Sequence, residues 1–246
     1  MEPVLTIDRT ISQGDKDRKS VRLIQEWINL HGERILIDGI FGPATAEAVR
    51  RFQTKAGLEV SGSMDPTTFE DLVEPMQYVL GRVNTDYFTI SDLALAYAAK
   101  HAEVNAREVG GNNAGPWVRL YMDGHEGADW PWCAGFVSFC LGQAAGQMST
   151  TSPVKKTYSC DTLANWAKQN GCLVRGNAGD LSRVKPGHIF LVRKSENDWS
   201  HTGLVSNMGE DHCDTIEGNT NDEGSAEGYE VCARIRAFEK LDFVAY

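Results

Sequence analysis

The sequence predicts an α+β protein, with a small three-helix unit at the N-terminus and a larger unit in which helices pack on an antiparallel sheet. Three observations carry the prediction. Apolar residues recur at helical spacing through roughly the first 80 positions, and a second set of helical patterns follows between about 91 and 170. After that the pattern changes to short β-like runs separated by turn residues. With 246 residues, 41% of them hydrophobic, the chain has material for two modest cores or one large one.

Taken in order, VRLIQEWINL places Val21, Ile24, Trp27 and Ile28 on one helix face, which His31 and Gly32 close. Thr45, Ala48, Val49 and Phe52 repeat the spacing, as do Phe69, Leu72, Val73 and Met76, giving three helices. Their connections echo each other. DGIFGPAT (38–45) and SGSMDPTT (61–68) align at a shift of 23 residues, each a turn with proline near the start of the next helix. Residues 81–89 read as a linker. An Ala-rich helix over about 91–107 follows, with Ser91 as its expected cap, then a Gly/Asn/Pro loop at 110–117. Further helices are expected from Trp132 to about Ala145 and from Cys160 to Asn170. Strands are expected at 188–193, 202–207, 213–218, 231–236 and 241–246.

Composition excludes several function classes. A formal charge of −10 with no basic stripe opposes binding to nucleic-acid backbone or anionic lipid. No apolar run reaches the roughly 18 residues of a membrane span, and MEPVLTIDRT has neither the basic nor the apolar region of a Sec signal, so none is expected. The six cysteines form no CxxC pair, so no zinc site is expected.

DWPWCAGFVSFC (129–140) holds the chemical interest. Cys133 opens a helix, where unpaired N–H groups and the positive end of the macrodipole favour a thiolate. A nucleophilic thiol needs a base from elsewhere in the chain. Among six histidines His201, in SHTGLV at the start of a strand, is the strongest candidate. His188 is expected at a strand edge, facing solvent or making a structural hydrogen bond, and His101 on an exposed helix face. His31, His125 and His212 are weaker candidates. Glu217 and Asn219, in TIEGNTN, lie where a return strand would bring them beside His201, and either is suited to orient an imidazole. Cys140, two turns beyond Cys133, is expected in the core. Trp117, Trp130 and Trp132 either wall a substrate cleft or pack.

Two resemblances follow from these motifs. The stretch from Ile11 to about Leu80, through GDKDRKSVRLIQEWINLHG, IDGIFGPATAEAVRRFQTKAGLEVSG and MDPTTFEDL, resembles the type 1 peptidoglycan-binding domain family. This implies a wall-binding three-helix module over 1–80, with Asp38, Gly39, Phe41 and Gly42 in its turn. The stretch from about Ile90 to Tyr246, through EVGGNNAGPWVRLY, PWCAGFVSFCL, KPGHIFLV, HTGLV and TIEGNTN, is similar to CHAP domains, a branch of the papain-like NlpC-type cysteine peptidases and amidases. That resemblance implies a catalytic domain over 90–246 in which Cys133 is the nucleophile, His201 the base, and Glu217 and Asn219 the orienting and polar partners. It departs from the family at His188, where an acidic residue is usual.

The function implied is hydrolysis of a peptidoglycan amide bond, foremost as an N-acetylmuramoyl-L-alanine amidase. The alternatives are an endopeptidase cutting stem or cross-bridge peptides, or a non-catalytic wall-binding protein. No cofactor or metal is required, although some relatives bind calcium and Asp123, Glu126 and Asp129 are the carboxylates that would supply it. Peptidoglycan is the expected partner, with a cognate immunity protein or export machinery as further ones. The expected site of action is the periplasm or cell wall, reached by phage-type release or non-Sec export.

Overall fold

The computed structural model describes residues 3–84, 89–221 and 228–246; part of the expected linker, 85–88, lies outside them. The fold is α+β, with helices covering one six-stranded antiparallel sheet.

Four helices open the chain. In α1 (Arg18–Leu30) the Asp17 carboxylate accepts from Ser20 N at 3.2 Å, and Val21, Ile24, Trp27 and Ile28 are buried as their spacing requires. Helix α2 (Pro43–Ala56) starts on proline and ends at Gly57, whose φ of 71° suits glycine. The single third helix expected from the sequence is two, α3 (Pro66–Leu72) and α4 (Glu74–Leu80). Val73 both ends one and begins the other, and Pro75 lies in the first turn of α4, where its missing N–H costs nothing.

The echo between the two turns has a common cause in two glutamines. Gln25 on α1 is buried; its Nε2 donates to Asp38 Oδ1 (3.0 Å), Ile40 O (3.2 Å) and Thr45 Oγ1 (3.2 Å), while its Oε1 accepts from Gly39 N (2.8 Å). Gln53 on α2 repeats the pattern on the second turn, donating to Ser61 Oγ, Ser63 O and Thr68 Oγ1 and accepting from Gly62 N at 2.9 Å. Each turn is thus fastened to the helix before it by a fully engaged buried amide.

Helix α5 (Ile90–Glu103) is capped by Thr89 and Asp92 in a reciprocal capping box, not by Ser91. It ends at Glu103, short of the expected boundary. Helices α6 (Pro116–Tyr121), α7 (Cys133–Gln147) and α8 (Cys160–Gln169) follow. The strands are β1 (Leu173–Arg175), β2 (Ile189–Ser195), β3 (Asp198–Met208), β4 (His212–Thr220), β5 (Glu230–Ala237) and β6 (Leu241–Val244). They lie in the order β1-β6-β2-β3-β4-β5, so four of them form a meander while β6 returns to lie between β1 and β2. The three-residue β1 was not expected; it is too short for an alternating pattern.

Helix α7 packs on β3 and β4 and is backed by α5. Buried Asp242 on β6 ties the far side together, accepting from Arg175 Nη1, Arg193 Nη1 and Trp199 Nε1 at 2.8–2.9 Å. One apolar core runs without interruption from α1–α4 into α5–α7. At the junction Trp27 meets Trp117 edge-on with centroids 5.6 Å apart, and Arg119 Nη2 pairs with buried Glu26 at 2.5 Å. Gln143 Nε2 donates to Val79 O at 2.8 Å.

Candidate active site

Cys133 is the first residue of α7. Its helix has no side-chain cap, so the first-turn N–H groups are left toward the thiol. The preceding segment is held by half-buried contacts: Trp132 Nε1 donates to Glu108 Oε1 at 2.8 Å, and Glu108 Oε2 accepts from Asn113 N at 2.8 Å. Strand β4 approaches this helix closely because Gly218 lacks a side chain. A Cβ there would lie 2.7 Å from Trp132 Cζ3 and Phe136 Cγ.

Strands β3 and β4 bring His201 and Glu217 together. His201 Nε2 and Glu217 Oε2 are 2.8 Å apart, and both residues are buried. Glu217 therefore bonds the imidazole and Asn219 does not. Glu217 also accepts from Arg236 Nε (2.8 Å) and Nη2 (2.6 Å) and from Thr215 Oγ1 (2.6 Å). Burial alone would raise its pKa, but Arg236 and then His201 outweigh that and bring it to about 2. The carboxylate is ionised and fixed.

Nε2 being taken, Nδ1 is the ring nitrogen left for the thiol; it is buried, with no hydrogen-bond partner among the described residues. Burial would depress the His201 pKa, but Cys133 and Glu217 raise it to about 9. The Cys133 thiol is held well below its ordinary pKa, first by contact with the Cys160 thiol and then by His201, against the opposing effect of burial. The pair favours thiolate and imidazolium around neutral pH. Cys160 opens α8, and its Sγ lies 3.7 Å from that of Cys133.

Asn219 lies where the pairing of β4 with β5 is irregular, with φ of 58°, and neither atom of its buried amide has a partner among the described residues. An unpaired buried amide is costly, and it marks a place where polar recognition is available.

Other expected residues fall elsewhere. Trp117 and Trp132 are buried and pack, Trp117 against Trp27 and Trp132 stacked on Tyr121, so they wall no cleft. Trp130 is half-buried and stacks on His125. His101 is not on an exposed face: α5 is covered by α7, and the ring lies fully buried between Gln143 Oε1 and Tyr121 OH, its pKa lowered to about 4 by burial. His188 is buried rather than facing solvent, its Nδ1 accepting from Lys185 N. His31 contacts Leu72 O, and His212 lies beside Asp211. Cys140 is in the core.

In the N-terminal turn Asp38 is engaged by Gln25 and Phe41 is buried. Gly39 has φ of 72° with a Cβ position 2.8 Å from Arg18 O, and Gly42 precedes α2. These residues build the turn; what it exposes is Leu36 and Ile40. A cavity of about 440 Å³ at the junction, between Trp27, Phe69, Pro116 and Arg119, includes none of Cys133, His201 or Glu217.

Sequence reasoning missed Arg236, Cys160, Gln25 and Gln53. Arg236 lies on the β5 face of Cys232, four residues away along the strand, and Cys232 sits directly opposite Glu217, a neighbourhood legible only once register is known.

Residues 17–72 match the family described as "Putative peptidoglycan binding domain". The chain is also similar to the zinc D-Ala-D-Ala carboxypeptidase of Streptomyces albus G, 34% identical over 91 residues, which cover 32% of this chain and 35% of that protein. The match thus spans about a third of that relative's length. Among the described residues no three His, Cys, Asp or Glu side chains gather to hold a metal ion. Of the carboxylates named for calcium, Asp123 is bonded by Lys156 and Tyr158, Glu126 by Arg119, and Asp129 is exposed.

Proposed function

We propose that this protein hydrolyses an amide bond of peptidoglycan with Cys133 as nucleophile, foremost the bond between the muramic acid lactyl group and L-Ala. The observation that carries the reading is the buried relay Arg236–Glu217–His201 directed at a low-pKa thiol on a helix N-terminus. The matched peptidoglycan-binding family supports the substrate class, and the CHAP-like motifs support the cysteine chemistry.

The Cys133 thiolate attacks the carbonyl carbon, and the charge that develops on oxygen is met by N–H groups of the first turn of α7. The His201 imidazolium gives its proton to the leaving amine, so the C–N bond breaks and a thioester remains on Cys133. Neutral His201 then takes a proton from water as the hydroxide attacks the thioester, and departure of the acid restores the Cys133 thiolate beside the His201 imidazolium. Glu217 keeps one nitrogen protonated throughout and stabilises the imidazolium. Asn219 offers its unpaired amide to the substrate, and Trp130 offers an aromatic wall.

Mass spectrometry of purified peptidoglycan digested by the wild type and by Cys133→Ala tests the reading. Free stem peptides beginning with L-Ala, absent with the variant, are expected. Cleaved stems or cross-bridges, likewise absent with the variant, replace amidase by endopeptidase. No fragment from any wall chemotype overturns the hydrolase and leaves a wall-binding protein.

A further inference from the structure

Helices α7 and α8 begin at the same place, and each begins with a cysteine. Cys133 and Cys160, 27 residues apart in sequence, bring their sulfurs within 3.7 Å, and both thiols are free and buried. A single thiol at a helix start is commonplace; two in van der Waals contact, one of them held to a low pKa by the other and by His201, form a dithiol with a defined attacker and a defined second partner. The remaining buried thiols are of another kind. Cys140 and Cys213 are held protonated by burial, Cys213 up to about 12, and Cys172 is shifted the same way.

We propose that Cys133 and Cys160 are a redox pair, Cys160 being a resolving thiol that converts oxidised Cys133 into a reversible disulfide. The oxidant is hydrogen peroxide, small enough to enter where the thiol is nearly buried. The Cys133 thiolate attacks one peroxide oxygen, the O–O bond breaks, and the hydroxide released takes a proton to become water, leaving a sulfenic acid. The Cys160 sulfur then attacks Cys133 Sγ; the S–O bond breaks, and the departing hydroxide takes the Cys160 proton as a second water. Two thiols have lost two electrons to one peroxide, and the sulfurs have closed from 3.7 Å to about 2.05 Å, a movement within reach of side-chain rotation.

Cys160 is the protonated member of the pair: its contact with Cys133, its burial and the nearby Asp161 all hold its thiol up, so it brings its own proton to the departing hydroxide. Because the bond consumes the proposed nucleophile, its effect on hydrolysis rests on the function proposed above; the bond itself does not.

The experiment uses the full-length protein treated with limiting hydrogen peroxide, free thiols then being blocked and peptides mapped by mass. The expected result is a Cys133–Cys160 cross-link, loss of the mass of two hydrogens, and wall hydrolysis that falls in step with the linked fraction and returns with dithiothreitol. In Cys160→Ser the same dose is expected to carry Cys133 to sulfinic acid, with a loss of hydrolysis that dithiothreitol does not reverse. Wild-type Cys133 passing to sulfinic acid with no cross-link overturns the proposal, and that measurement needs no variant to fold. A cross-link in a protein that, reduced, releases no wall fragments supports the redox pair and overturns the hydrolase. Full hydrolysis by fully linked protein overturns the switch together with Cys133 as nucleophile.

Discussion

Gln25 and Gln53 in the N-terminal helices and Asn219 beside the sheet are buried side-chain amides in opposite conditions. The two glutamines use their donors and acceptors on the turn that follows. Asn219 uses neither, and Thr220 Oγ1 and His201 Nδ1 close by are likewise without partners among the described residues. A satisfied amide holds a structure together; an unsatisfied one is a standing cost that folding alone does not justify. The difference separates a part of the molecule fastened for shape from the part to which the chemistry is assigned above.

Substitutions at the two places should therefore move different observables. Cys133→Ala is expected to lower fragment release roughly 10⁴-fold with little change in melting temperature. It also removes the charge that helps raise His201 to about 9, so the imidazole should titrate at lower pH, as followed by NMR. Survival of hydrolysis would erase the distinction at its root. Gln53→Ala should act in reverse, costing about 3 kcal/mol in chemical denaturation because several groups lose their partner at once, while kcat per folded molecule is unchanged. Arg236→Ala should cut kcat about tenfold to a hundredfold with KM little altered, through a misplaced Glu217. The Glu217 pKa should then rise from about 2, and the acid limb of kcat should move upward with it. Rescue by Arg236→Lys of the limb but not of the full rate would show that both charge and fork geometry count. The smallest effect is on stability in Asn219→Gly, which keeps the positive φ: a change under about 1 kcal/mol, accompanied by a measurable loss of kcat/KM. A large destabilisation there would make Asn219 a structural residue like the glutamines.

The ion pair has its own pH window. Glu217 ordinarily titrates at 4.5 and here at about 2, so its contribution to stability is complete above about 4.5 and disappears as pH falls toward 2. His201 is raised from 6.5 to about 9, so its contribution is complete below about 6.5 and is lost as pH rises through 9. Denaturation midpoints across pH should show both losses in the wild type, and the alkaline one should shrink in Cys133→Ala.

Much of this arrangement was legible in the chain. Cys133, His201 and Glu217 are chemically distinctive residues at the ends of patterned elements, and the longer helices and strands followed from periodicity, whereas the break between α3 and α4, the short α6 and the three-residue β1 did not. Gln25 and Gln53 carried no such signal, since a buried glutamine looks like an exposed one until the turn it holds is seen. The echo of the two turns at a shift of 23 was visible, its cause was not. His101 misled because an Ala-rich helix shows little contrast between faces, and only the packing of α7 reveals which side is buried. Cys160 and Arg236 depend on tertiary contact: one on two helix starts converging, the other on strand register.

The unbroken core across the junction changes what anchoring means for this molecule. A module on a flexible tether spreads its catalytic partner through a shell of positions, and raises encounter in every direction alike. Here Trp27 against Trp117 and Glu26 against Arg119 fix the wall-binding family's helices at one angle to the sheet. On the function proposed above, gripping the wall would select a bearing and a distance together. The bonds within reach would be those at one offset from the grip, the junction serving as a ruler, and loosening it with Arg119→Ala should then blur the pattern of fragments before it slows their release.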